Sequence, residues 1–258
     1  MAGNFNNVTG NHKFTGTFIY KELDYEYTLY LPEFEPDERT EVISKFGNRM
    51  QKDADGNAKF CLDIGEDTIE GYIDNNQVSA YVIVNQLGSD ETASGTLQIY
   101  NWCPRRKNID YPLVWINDVC RITVPGQDKL PVSPVGALFY VMEQLTVQNL
   151  RKSDIYLFVD TRKEAEKIKL KYVYSTDYGF ILNSEDNVLC RKHTADEHLM
   201  VMNKPNLKNN NEVLNFSFLT TSPIVTGGKK NRNRKTKRNR KIKRKHNHSK
   251  RHALKKSF

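Results

Sequence analysis

The stretch Val132–Leu145, VSPVGALFYVMEQL, places groups at a helix start that can hold an anion. Ser133 is a capping residue, and Pro134 suits the first helical position, where its missing N–H costs nothing. Gly136 and Ala137 keep side chains off the first turn. The amides of Val135, Gly136 and Ala137, at the positive end of the helix, therefore suit a phosphate or carboxylate. A second reading of Gly136 is that it lets the helix pack closely on the strand before it. Leu138, Val141, Met142 and Leu145 recur at i, i+3, i+4 and i+7, so one face is expected to be buried.

The other reactive residue types are less pointedly arranged. Cys61, Cys103, Cys120 and Cys190 are widely spaced and form no CxxC pair, so they read as small buried apolar residues of a reducing compartment. Cys190, His193 and His198 lie close in sequence, but they lack the second ligand pair of a zinc site, and no metal is expected. Arg105, Arg106 and Lys107 read as an exposed loop, and Trp102 and Trp115 as core residues of strands.

The elements that must position these groups come in two runs. FTGTFIY and YEYTLYL read as paired strands, the second alternating through Tyr25, Tyr27, Leu29 and Leu31. EPDERTEVISKFGN reads as a helix stopped by Gly47. KFCLDI reads as a strand, and TIEGYIDNNQVSAYVIVNQ as a hairpin turning at Asp74-Asn75-Asn76. ASGTLQIYNW and PLVWINDVCRITV follow as strands. Next come the helix of the opening stretch, the strand DIYLFVD, the helix TRKEAEKIKLKYVY and the turn-strand DYGFIL. EVLNFSFLT closes the body as an alternating strand. Strands followed by a strand–helix–strand–helix–strand unit predict an α+β fold with one βαβ crossover.

Charge divides the chain. Residues 229–258 hold 16 Lys or Arg and no acid, which leaves 23 basic against 31 acidic residues in 1–228, a net charge of −8. The arm cannot bury enough apolar surface to offset its ordering entropy, so disorder is expected there. Its density of Lys229, Lys230, Arg232, Arg234, Lys235, Lys237, Arg238, Arg240, Lys241, Lys243, Arg244 and Lys245 suits salt-sensitive binding to nucleic acid, without sequence selection. The start MAGNFNNVTGNHK has no apolar core, and no run is long enough to span a bilayer. A cytoplasmic, nuclear or virion location is expected, not secretion.

The order of parts across residues 69–182 resembles the core of the GCN5-related N-acetyltransferases (GNAT), including GNAT-like proteins of large DNA viruses with basic tails. The resemblance implies a mixed, mostly antiparallel sheet with helices on its faces. It also implies acetyl-CoA as cofactor and an amine-bearing protein or small molecule as acceptor. In that family a splayed strand offers amides to the pantetheine arm, here Val119, Cys120, Arg121 and Ile122. The following helix start holds the pyrophosphate, here Ser133, Val135, Gly136 and Ala137. Pro134 stands where the pattern has its first glycine, and the Arg or Gln of the pattern has no counterpart. A Tyr shortly before Gly179-Phe180 would protonate the departing thiolate: Tyr174, with Tyr172 and Tyr178 as competitors. An amide of Val119 or Cys120 would polarise the carbonyl, and Asp118, Glu70 or Asp160 would serve as base. The resemblance divides the chain into 1–68, the start of the domain; 69–182, the core; 183–228, further strands and loops; and 229–258, the arm.

Overall fold

The structure, a computed structural model, describes residues 5–9, 12–31, 36–47, 66–74, 78–89, 91–100, 112–122, 134–160, 164–182, 199–216 and 219. The chain divides into two units, 1–227 and 228–258; the second, with every arm residue named above, lies outside the described residues.

The first unit is built on one nine-stranded sheet. Its strands in chain order are β1 (Phe5–Thr9), β2 (Lys13–Tyr20), β3 (Leu23–Tyr30), β4 (Ala80–Gln86), β5 (Thr92–Tyr100), β6 (Leu113–Ile122), β7 (Ile155–Asp160), β8 (Ile181–Leu182) and β9 (Leu199–Lys204). They lie in the order β1-β2-β3-β4-β5-β6-β7-β9-β8, antiparallel throughout except for the parallel pair β6/β7. Residues 1–68, 69–182 and 183–228 all contribute strands to it, so the three segments share one sheet.

Among the described residues four helices accompany these strands: α1 (Pro36–Gly47), α2 (Glu66–Asp74), α3 (Pro134–Gln148) and α4 (Glu164–Tyr178). The fold is therefore α+β, and β6–α3–β7 is the expected crossover, because parallel neighbours need a connection that crosses the sheet. Lys21 and Glu22 both take positive φ (49° and 67°) and join β2 to β3 in a two-residue turn whose twist matches the strands.

The two faces of the sheet carry separate cores. Tyr30 and Tyr81 pack with Val42 and Phe46 of α1, Ile69 of α2 and Val78. On the opposite face Tyr25, Tyr27, Leu29, Val82, Val84, Ala93 and Leu97 meet α3, joined by Leu170, Tyr174 and Tyr178 of α4. The sequence pattern predicted one buried face for α3; instead, 12 of its 15 residues are buried. The polar ones are each tied down. The Gln148 side chain donates to the Leu214 carbonyl and accepts from the Phe216 amide, and the Gln144 side chain donates to the Lys208 carbonyl and accepts from the Asn210 amide.

Two sequence expectations are corrected. The hairpin proposed around Asp74–Asn76 is instead a helix through Asp74: Ile69 and Ile73 lie one turn apart, and both join the α1 core. The described part of EVLNFSFLT is not a strand but an irregular strap held across α3 by Gln148, with Phe216 packed edge-on against Tyr27. The last sheet strand is β9, earlier in the chain. KFCLDI lies outside the described residues.

Candidate active site

Strand β6 is the centre of the site because its two edges are treated differently. It pairs with β5 from Leu113 to Ile122, but the register slips between Thr96 and Leu97, and Asn117 has no partner. A bulge of this kind bends its strand and raises its twist. Gly95 accommodates it: a Cβ there would come within 2.5 Å of the Asp118 carbonyl oxygen and 2.7 Å of Met142 Cε.

On its other side β6 meets β7 only at Trp115↔Tyr156 and Ile116↔Leu157. From the bulge onward, among the described residues, 117–122 forms no ladder with β7. A place where two parallel strands stop pairing is one at which an extended ligand can lie as a strand does.

The structure brings Asp118 and Tyr174, the two predicted catalytic residues, into electrostatic reach of one another. Both are half-buried. Tyr174 lies against Phe139, Tyr178 and Phe180, with ring centroids 6.1, 6.3 and 6.2 Å away. Burial pushes its phenol up to about 12, with Tyr178 and the Asp118 carboxylate adding to the rise, so it stays protonated at neutral pH. Helix α4 ends with Gly179 at φ 75°, its amide bonded to the Ser175 carbonyl, and Phe180 turns back to donate to the Tyr174 carbonyl. Gly-Phe is thus a helix stop and an anchor that fixes Tyr174. Of its competitors, Tyr172 is 67% exposed, whereas Tyr178 packs edge-on against Phe139.

The remaining predicted residues separate. Val119 is half-buried against the α3 core. Cys120 is buried but not a free thiol: it is disulfide-bonded, with its partner outside the described residues, which corrects the reading of four reduced cysteines and commits this sulfur to a covalent link. Arg121 is held by both oxygens of buried Glu91 at 2.8 Å, a pair the sequence did not single out. Ile122 ends β6. Ser133 and the Arg105–Lys107 loop lie outside the described residues, as do Trp102 and the Cys190–His198 group. Among the described residues no His, Cys, Asp and Glu gather in a metal-binding group.

At the start of α3, Val135 is half-buried while Gly136 and Ala137 are buried. A Cβ at Gly136 would stand 3.1 Å from Tyr20 Oη and 3.4 Å from Tyr178 Cε1, so this glycine lets two phenol rings close over the helix. The close-packing reading therefore holds for Gly136, with tyrosines rather than the preceding strand as neighbours. Of the alternative bases, Glu70 lies on α2 and is bound to Arg39 at 2.9 Å, with the helix pair on the other face; Asp160 ends β7 opposite Leu199.

No protein-family model, curated protein or solved structure matches the chain. Among the described residues no helix is long and apolar enough to cross a membrane.

Proposed function

We propose that the body is an acyl-CoA-dependent N-acyltransferase of the GNAT type and that the basic arm carries it onto nucleic acid. The observation that carries the reading is the opening between β6 and β7. The β6–β7 pairing ends just before a bulge, α3 connects the two strands, and the Asp118 carboxylate is felt electrostatically at Tyr174. An activated acyl thioester is the chemistry that acetyl-CoA supplies to such a site. The residues present suit its extended arm: among the described residues no β7 residue pairs with β6 beyond Ile116, so a strand-like ligand would lie along Val119–Ile122. In this reading Asp118 accepts the proton of an incoming ammonium. The Tyr174 phenol, which burial keeps protonated, gives one to the leaving thiolate.

A second reading, a non-enzymatic protein that keeps this fold and binds or packages nucleic acid through its arm, is favoured by one feature. The start of α3 is built for packing, with Gly136 under Tyr20 and Tyr178 and Pro134 lacking an N–H.

Titration calorimetry with acetyl-CoA on the full chain separates the two, at salt high enough to weaken contacts between phosphates and the arm. Micromolar binding, with ADP binding far more weakly, supports the acyltransferase. Equal binding of ADP, or none of acetyl-CoA at millimolar concentration, rejects it and leaves the second reading.

A further inference from the structure

On the flank of α3 lies a cavity of about 410 Å³ that the proposed acyl-transfer site does not use. Its floor is the α3 face bearing Gly136, Phe139, Tyr140 and Glu143. One wall is the β2–β3 turn with Tyr20 and Lys21; the other is the end of α4, with Asp177 and Tyr178, beside Lys204 of β9. Four aromatic rings therefore line it. The ring centroids of Tyr20 and Tyr140 lie 5.4 Å apart and those of Phe139 and Tyr178 4.8 Å apart, and the bare Cα of Gly136 leaves room for both Tyr20 and Tyr178.

The ionic groups are placed in a telling way. Lys21 holds its ammonium over the Tyr20 ring, 5.5 Å from the centroid. Lys204 puts its ammonium 2.6 Å from Oε1 of Glu143, and Oε2 of that buried carboxylate has no hydrogen bond from the described residues. Asp177 adds an exposed carboxylate at the rim. Both of the chain's own cations here are already engaged in the two ways an ammonium is held, on a ring face and on a carboxylate. An anion entering the cavity would meet two carboxylates and the negative faces of the rings; a cation would meet more of the contacts the lysines already make.

We propose that this cavity is a binding site for a small organic cation, an alkylammonium group carried on a short aliphatic stem. The rings of Tyr20, Tyr140 and Tyr178 supply the cation–π walls, while Glu143 and Asp177 supply the countercharge. The proposal does not rest on the acyl-transfer reading, although Gly136 and Tyr178, named there, also line this cavity.

The test uses the full chain and two probes of the same shape: choline, and its uncharged carbon isostere in which a tert-butyl group replaces the trimethylammonium. The basic arm repels the cationic probe, so it does not mimic the signal. Calorimetry is expected to show choline binding at least about tenfold tighter than the isostere, the size of a partly desolvated cation–π contact. Tyr140→Leu is expected to abolish this preference. Asp177→Asn, a change at an exposed position that leaves the core intact, is expected to weaken choline about threefold while leaving the isostere unchanged. Circular dichroism confirms that each variant is folded, and Asp177→Asn decides the matter should Tyr140→Leu not fold. Equal binding of the two probes, no binding of choline, or choline binding that Asp177→Asn leaves unchanged would overturn the proposal.

Discussion

Gly95 is the residue on which the opening beside β6 depends. The bulge at Asn117 brings the Asp118 carbonyl to where a side chain at position 95 would begin, and Met142 closes the same space from α3. Met142 can move, but the carbonyl belongs to a strand fixed by its ladder. Gly95→Ala is therefore expected to cost about 1–3 kcal/mol, the range for overpacking a tight core. Met142→Ala in the same chain should recover only part of it, since the backbone contact remains. A denaturant midpoint unchanged by Gly95→Ala would mean that the strand yields and the bulge is not pinned. At Tyr174 the prediction concerns chemistry. Its phenol, near 12, stays protonated across the physiological range, and Tyr174→Phe keeps the ring against Phe139 and Phe180. If it is the proton donor, that variant should lower kcat about 10²-fold with KM little changed. Loss in KM alone would assign the ring to binding.

Among the elements, α1 is tied to the sheet by Glu41, which takes Lys13 of β2 and Lys45 of its own helix, each at 2.7 Å. Burial raises this carboxyl, but hydrogen bonds from Lys13, Lys45 and Tyr30 outweigh it and hold it at about 2, below its ordinary 4.5. A depressed carboxyl contributes stability above its unfolded value and loses it as pH falls towards the folded one. The fold should weaken between about pH 4.5 and 2 by about 1 kcal/mol, after allowing for solvent at this partly exposed group. Glu41→Gln should remove that part of the acid slope; an identical slope would show that Glu41 is not its source. The strap over α3 rests on Gln148. Replacing it by Leu orphans the Phe216 amide and the Leu214 carbonyl. A loss of about 2–4 kcal/mol is expected, and faster hydrogen exchange at Phe216. Protection unchanged at that amide would refute the strap. The same contrast explains what the sequence could and could not reveal. Strands β2 and β3 and helices α1, α3 and α4 carry their own period or stop signals, such as Gly179 after α4. In α2, IEGYID alternates enough to pass for a strand, and only contact with Phe46 and Tyr81 makes Ile69 and Ile73 a helical pair. The glutamines of α3 look like a polar face until the strap covers them. The Arg121–Glu91 pair joins residues too far apart for any local pattern, and nothing beside Cys120 in the sequence marks it for a disulfide. Asp118 and Tyr174 were named from the resemblance, but their proximity belongs to the folded sheet.

At the scale of the whole molecule, charge is partitioned between a body of net charge −8 and an arm holding 16 basic residues and no acid. An acidic body is repelled by phosphates, so the nucleic-acid affinity proposed for the chain would have to come from the arm. Binding of that kind works by releasing counterions, and each neutralised phosphate adds to the salt dependence. If about half of the arm's basic residues engage a duplex at once, a plot of log K against log salt should fall with a slope of about −7. The same slope is expected for duplexes of unrelated sequence, since the arm's only aromatic is Phe258 and no folded reader accompanies it. Replacing four of the lysines and arginines between Lys229 and Lys245 with Gln should make the slope shallower by about 2 and weaken every duplex alike. A flat salt response, or a strong preference among sequences, would place recognition in the body and leave the arm another task. Acetyl-CoA binding should be indifferent to those substitutions at high salt, because the edge of β6 and the phenol of Tyr174 contain none of the charges removed. Affinity for the thioester that fell along with affinity for the duplex would mean that the arm had been holding the phosphates of coenzyme A, and the opening beside β6 would lose its claim to them.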